Sequence, residues 1–264
     1  MGKASLDSLF VLTRQVVWPC LIKRLPFNLV VAQPGGKLEG GSASDAFRRL
    51  FPLGTVPSID DPERGVLLSE SGAILAYLSD VHGWSDIYPP LSDRAVRARV
   101  DEYINWHHSN ARYLTVAYAR PHFRPDKPST PEARKAAEAL AEQSLCTVES
   151  VFLARAPFVA GTLTPTAADF LLYSEAAPLG PQFGNVLDLA RGGERPRIAA
   201  WMAAMSKLPY HDEVFTASRA MGELREDASG PDGEPLGPIL SRLPAGNRAG
   251  LRAISSVIAV GEKR

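Results

Sequence analysis

The stretch from Pro57 to Ser71, Pro-Ser-Ile-Asp-Asp-Pro-Glu-Arg-Gly-Val-Leu-Leu-Ser-Glu-Ser, restricts the fold more than any other part of the chain. Two short apolar runs, 58–60 and 66–68, flank an Asp-Asp-Pro-Glu-Arg-Gly turn, which is the pattern of a β-hairpin. The second run passes through Ser69-Glu-Ser-Gly72 straight into Ala73-Ile-Leu-Ala-Tyr-Leu78, the start of a helix expected over 71–82. Upstream, apolar runs at 6–11 and 27–31 read as strands, and 13–24 and 43–51 read as helices. Strands alternating with helices in so short a span indicate an α/β layer.

Beyond residue 92 the period becomes helical. Ser92 or Asp93 can cap a helix whose positions Val96, Val100, Tyr103, Ile104, His107, Ala111, Leu114 and Tyr118 step by three or four. Pro121 and the prolines at 125, 128 and 131 end it. Thr130, with Pro131 at the first position, opens a second helix with a buried stripe of Ala137, Leu140, Ala141, Leu145, Val148 and Phe152. Thr166-Ala-Ala-Asp169 before Phe-Leu-Leu-Tyr is a capping-box arrangement, expected to serve folding rather than chemistry. Pro196 opens a further helix through Leu208. The expected organisation is an α/β domain over 1–82, a Gly- and Pro-marked linker over 83–92 and an all-helical domain over 93–222. A Gly-, Pro- and acid-rich extension over 223–264 reads as flexible, with a mildly apolar part at 239–260 able to dock. Trp18-Pro19 falls inside the first expected helix, which is therefore kinked or begins after Pro19.

Composition narrows the function. Lys plus Arg number 29 and Asp plus Glu number 29, so no net charge favours nucleic acid or an anionic membrane. The two cysteines, Cys20 and Cys146, fall in different expected helices and read as buried thiols of a reducing compartment. No signal peptide and no apolar stretch near the roughly 20 residues of a membrane span is visible, which makes the cytoplasm the default. Adjacent histidines in Trp106-His107-His108 point different ways on a helix and have no acid or cysteine at ligand spacing, so a metal site is rejected.

The start of the helix at Ser71 has chemical capacity. Its unpaired N–H groups and the Ser71 hydroxyl suit a carboxylate, and Glu70 suits an ammonium, so together they fit the head of an amino acid. Val56-Pro57 can offer backbone N–H and C=O groups to an extended peptide. That geometry needs Pro57 in the cis form, which only about 5–6% of X-Pro bonds adopt.

These stretches, with Leu25-Pro-Phe-Asn-Leu29, Ser44-Asp-Ala-Phe47, Ile87-Tyr-Pro89, Arg97-Ala-Arg-Val-Asp-Glu-Tyr-Ile-Asn-Trp-His-His108 and Leu208-Pro-Tyr-His-Asp-Glu-Val214, make the chain resemble the glutathione S-transferases, the theta class most closely, over 6–214. The resemblance implies a thioredoxin-like N-terminal half, an all-helical second half and a homodimer. It implies glutathione as co-substrate, a small apolar electrophile in the second half, no metal, and attack of the thiolate by conjugation or displacement of a halide. Val56 and Pro57 would bind the cysteinyl unit, and Glu70 and Ser71 the γ-glutamyl end. Arg112 matches a helix position where theta enzymes often carry an arginine facing the active cleft.

Three positions depart from the family pattern. At the glycine end of the tripeptide, Ser42 and Thr55 stand where theta enzymes have a histidine and a lysine; both donate hydrogen bonds but carry no charge, so weaker glutathione affinity is expected. Lys37, in the long Gln33–Gly41 loop, is a possible replacement for the charge. Phe10 occupies the place of the thiolate-activating serine. Ser8 and Thr13 are the nearest hydroxyls, and the sequence does not choose between them. The alternative reading is a binding or scaffold protein that kept the fold and lost the activator.

Overall fold

The computed structural model describes residues 9–30, 35–38, 41–123, 128–179, 187, 189, 193–211, 214–215 and 257–260. The chain divides into two compact units, Met1–Ile74 with Asp212–Arg264, and Leu75–His211. The division falls inside a helix rather than in the segment 83–92. That segment is packed into the second unit: Trp84, Ile87 and Tyr88 are buried, and the Ile87 carbonyl accepts from the Ala167 N–H at 2.7 Å.

The first unit is built on a four-stranded sheet ordered β1-β4-β2-β3, where β1 is Phe27–Val30, β2 Ser58–Asp61, β3 Val66–Ser69 and β4 Val257–Val260. The hairpin β2–β3 pairs Ser58 with Ser69 and Asp61 with Val66. Its turn closes because the Asp61 carboxylate accepts from the Arg64 backbone at 3.3 Å and guanidinium at 3.1 Å, and Gly65 takes a φ of 65°. The remaining strand was expected at 6–11. Instead β4 lies between β1 and β2, antiparallel to β1 and parallel to β2. Thus residues 257–260 of the extension are strand, not flexible; 216–256 and 261–264 lie outside the described residues.

Residues 9–11 belong to helix α1, Leu9–Ile22. A short apolar run has no period of its own, and Leu9-Phe-Val-Leu12 joins the helical run that follows it. The helix passes through Pro19, which only forgoes one N–H bond to the preceding turn. Trp18 and Cys20 on α1 are fully buried, and the Trp18 ring meets Phe215 edge-on at 5.2 Å. Helix α2, Asp45–Leu50, is capped by Ser44, which accepts from the Phe47 N–H. Helix α3 runs Ser71–His82.

In the second unit α4 is Arg94–Ser109, capped by Asp93 rather than Ser92. The expected single helix to Tyr118 breaks at Asn110 (φ −134°, ψ −85°) and resumes in a π-helical turn, Thr115–Ala119, leading into α5, Arg120–Phe123. Thr130 caps α6, Pro131–Thr147, with Pro131 in the first turn, and a second π-helical turn covers Val148–Phe152. Of its stripe, Ala137, Ala141, Leu145, Val148 and Phe152 are buried. Cys146, expected inside, is exposed; Cys20 is buried. Helix α8, Pro196–Met205, stops short of Leu208.

The centre of this unit is α7, Ala167–Ala176, buried at all ten positions. A capping box joins Thr166 and Asp169. The Asp169 carboxylate accepts from the Thr166 N–H (2.8 Å) and hydroxyl (3.1 Å), the Val159 N–H (2.9 Å) and the Trp201 indole (2.9 Å). The Asp169 N–H bonds best to the Thr166 carbonyl, at 2.9 Å. Burial pushes the Asp169 carboxyl up to about 6, against the pull of those donors.

Candidate functional site

The hairpin register settles what the sequence left as spacing. Ser58 and Ser69 face one another across β2 and β3, and their hydroxyls meet at 2.7 Å. Pro57 and Glu70 are the next residues outward on the two strands, so Val56-Pro57 and Glu70-Ser71 flank one end of the hairpin. The Val56–Pro57 peptide bond is cis. Val56 and Pro57 are buried, and the Ser58 hydroxyl holds the approach by donating to the Thr55 carbonyl at 2.9 Å.

Glu70 has a φ of 74°, one of three non-glycine residues with positive φ among the described residues. Such backbone is costly for an L-residue and gathers at binding and catalytic sites. The first bond of α3 runs from the Ile74 N–H to the Glu70 carbonyl (2.9 Å). The N–H groups of Ser71, Gly72 and Ala73 precede the helical ladder and have no intrahelical acceptor. Ser71, at the first helical position, is 7% exposed, and Glu70 is exposed. Glu70 here occupies the capping place, so Ser71 is not the cap of α3.

The glycine-end residues have different settings. Ser42 is buried and its hydroxyl accepts from the Gly35 N–H at 2.9 Å, bracing the loop onto itself. Gly41 permits this fold-back, since a Cβ there would meet the Gly36 carbonyl oxygen at 2.1 Å. Thr55 and Lys37 are exposed.

Helix α1 changes the question of the thiol activator. Phe10 is helical and does not alternate with Ser8 on a strand; Ser8 lies outside the described residues. Thr13 is the fifth residue of α1, so it is neither a cap nor a first-turn donor. It is 6% exposed, and its hydroxyl has no hydrogen-bond partner among the described residues. Beside it the buried Arg14 guanidinium lies 4.9 Å from the centre of the Phe215 ring, and burial lowers it to about 9.

In the second unit Arg112 donates to Glu175 Oε1 at 2.8 Å. Glu175 also accepts from the Thr115 hydroxyl, and the His107 Nε2 lies 3.5 Å from its Oε1. The Tyr103 hydroxyl is 3.2 Å from His107 Nδ1. Burial pushes the Glu175 carboxyl up, but the Arg112 charge and the bonds from His107 and Thr115 outweigh it and hold the group below its ordinary value. Sequence reasoning missed Glu175 and Thr115. The available signal was an acid in α7, a helix otherwise closed to water on every side.

The profile of the glutathione S-transferase N-terminal domain matches residues 9–85. Human glutathione S-transferase theta-1 is 31% identical over 181 residues, covering 67% of this chain and 70% of that protein. Glutathione S-transferase T3 of Arabidopsis thaliana is 29% identical over 258 residues, 90% of this chain, and this chain spans 41% of that longer relative. Among solved structures, human glutathione transferase theta-2, in complex with glutathione and an unknown ligand, superposes with a TM-score of 0.65 at 26% identity. The match covers 90% of this chain and 98% of that one. Thioredoxin-like and helical halves and this relationship to theta-class proteins have one explanation: the chain belongs to the glutathione S-transferase family.

Proposed function

We propose that the protein is a theta-like glutathione transferase that directs the glutathione thiolate onto a small apolar electrophile, by conjugation or by displacement of a halide. The observation supporting this reading is the left-handed backbone at Glu70, the residue directly before α3, whose carbonyl accepts the first bond of the helix from the Ile74 N–H. In this reading Glu70 takes the γ-glutamyl ammonium, and Ser71 with the α3 amides takes the adjoining carboxylate. The main chain of Val56 pairs with the cysteinyl unit as a sheet edge pairs with an added strand. Thr55, and Ser42 through its loop, serve the glycine end without a charge. Arg112 stabilises negative charge on the thiolate or on the departing group. Catalysis comes from orienting bound thiolate, with no covalent enzyme intermediate. A detoxifying role, a homodimer and a cytoplasmic location accompany the reading; no helix among the described residues is long and apolar enough to cross a membrane.

A second reading, a glutathione-binding or scaffold protein without transfer activity, is favoured by one observation: phenylalanine at position 10 offers the thiol no donor. Ultraviolet titration of bound glutathione separates the two. An enzyme shows thiolate near pH 7, well below the free value of about 8.5; a scaffold shows the free titration. Retention on glutathione resin comes first, and Glu70→Ala with Ser71→Ala should abolish it. Retention unchanged by that pair of substitutions refutes the placement of the tripeptide.

A further inference from the structure

Glu175 is completely buried in a helix that excludes water from every position. For stability alone that charge is a poor choice, because desolvation can exceed the attraction and an apolar side chain of similar volume often serves a fold as well. What an ionised carboxylate supplies instead is orientation. Oε1 receives Arg112 at 2.8 Å, and Oε2 receives the Thr115 hydroxyl. Behind them the Tyr103 hydroxyl lies 3.2 Å from His107 Nδ1, and His107 Nε2 lies 3.5 Å from Glu175 Oε1, so the carboxylate is backed by a second polar pair. Thr115 is also the first residue of a π-helical turn, an irregularity frequent at functional sites. Arg112 itself is 31% exposed. The only hydrogen bond of its guanidinium among the described residues goes to Glu175. One nitrogen of a rigid planar donor is thus anchored on a buried carboxylate while the partly exposed group keeps further N–H donors, an arrangement suited to recognising an anion.

We propose that Glu175 is a positioning residue that, with Thr115 and the Tyr103–His107 pair behind it, fixes the Arg112 guanidinium so that its remaining N–H groups receive an anionic group of the second substrate. This rests on the reading of the helical unit as the electrophile-binding half of a glutathione transferase. The anion is either a departing halide or an acidic substituent already on the electrophile.

The test uses the full chain as wild type, Glu175→Gln, Arg112→Ala and the double variant. With an alkyl halide, each single substitution should lower kcat about tenfold while glutathione affinity stays within about twofold, and the double variant should be no slower than Arg112→Ala. Free guanidinium ion should restore Arg112→Ala and fail to restore the double variant. A readout independent of turnover is phenylglyoxal labelling of Arg112, followed on its peptide by mass spectrometry. Inorganic sulfate should slow labelling in wild type roughly fivefold and have little effect in Glu175→Gln. Additive losses, or guanidinium rescue that persists without the carboxylate, overturn the proposal, as does wild-type Arg112 left unprotected by sulfate. If wild type transfers no thiol but sulfate protection still depends on Glu175, the transferase reading falls and the positioning role stands. If Glu175→Gln does not fold, Thr115→Val must still weaken protection by about twofold, and equal protection refutes the inference.

Discussion

Replacing Glu70 by asparagine should separate the stability of the fold from its affinity for glutathione. At φ 74° a glutamate side chain strains the backbone, at a cost of about 1–2 kcal/mol for an L-residue. Asparagine occupies this region far more readily and is a preferred helix cap, worth about 1 kcal/mol at that position. Loss of a negative charge beside the first turn of α3 removes about 0.3–1 kcal/mol of dipole interaction. Glu70 has no ion-pair partner to lose among the described residues. The sum predicts a variant more stable than wild type by about 1–2.5 kcal/mol. Binding should move the opposite way, because a charge-assisted bond to the γ-glutamyl ammonium is worth about 1.5–3 kcal/mol. That corresponds to a dissociation constant raised between about tenfold and a hundredfold.

Urea unfolding gives the first quantity and isothermal titration with glutathione the second. Glu70→Ala is the control, since alanine neither favours this backbone nor caps, and it should lose about 1 kcal/mol relative to Glu70→Asn with the same binding defect. Glutathione affinity within about twofold of wild type for Glu70→Asn would refute the assignment of the carboxylate to the ammonium. A fall in stability matching the fall in affinity would mean that the left-handed turn is held by something other than tolerance of strain.

Other consequences follow from the buried polar groups and the sheet. Thr13→Val removes a buried hydroxyl without a partner among the described residues and should raise stability by about 1 kcal/mol. If that hydroxyl supports the thiolate, the bound-glutathione titration shifts upward, and an unmoved titration leaves Thr13 without a catalytic part. Asp169→Ala strips the acceptor from four donors and should cost about 3 kcal/mol or more, above the 0.5–2 kcal/mol of a helix cap alone. A loss inside the cap range in urea unfolding would show that Val159 and Trp201 find other partners. Glu175 is held below its ordinary value, so its contribution to stability is complete above the unfolded carboxylate range of about 4.3 and lost as pH falls through the lower folded value. The stability difference between wild type and Glu175→Gln should therefore shrink on the acid side, and a difference constant from about pH 5 to pH 3 contradicts this. Ile258→Pro deletes a ladder donor in the strand between β1 and β2 and should cost about 1–3 kcal/mol; an unchanged Tm means that 257–260 does not hold the centre of the sheet.

What the sequence revealed and what it hid divide along the range of the interactions. The hairpin, the Thr130 cap and the opening of α3 were legible because each depends on neighbours within a few residues: an Asx turn at Asp61, a hydroxyl reaching its own helix, a Ser-Glu-Ser step into an apolar period. Leu9-Phe-Val-Leu12 misled because four apolar residues have no period, and its assignment to helix depends on what already fills the sheet. That occupant is Val257–Val260, more than two hundred residues away, which no local pattern connects to Phe27 or Ser58. The residues proposed for function obey the same rule. Glu70 and Ser71 could be named from their place at a helix start, whereas Glu175 becomes visible only when α7 is enclosed and a carboxylate must find Arg112, Thr115 and His107 from another part of the chain. Arg112 was singled out by position on an expected long helix, but its setting was not: it lies in the turn after α4, and anchored at 2.8 Å to a buried acid it becomes a donor of fixed direction. Direction is what an arginine must have to act on developing charge, and in this chain it originates in a residue 63 positions downstream.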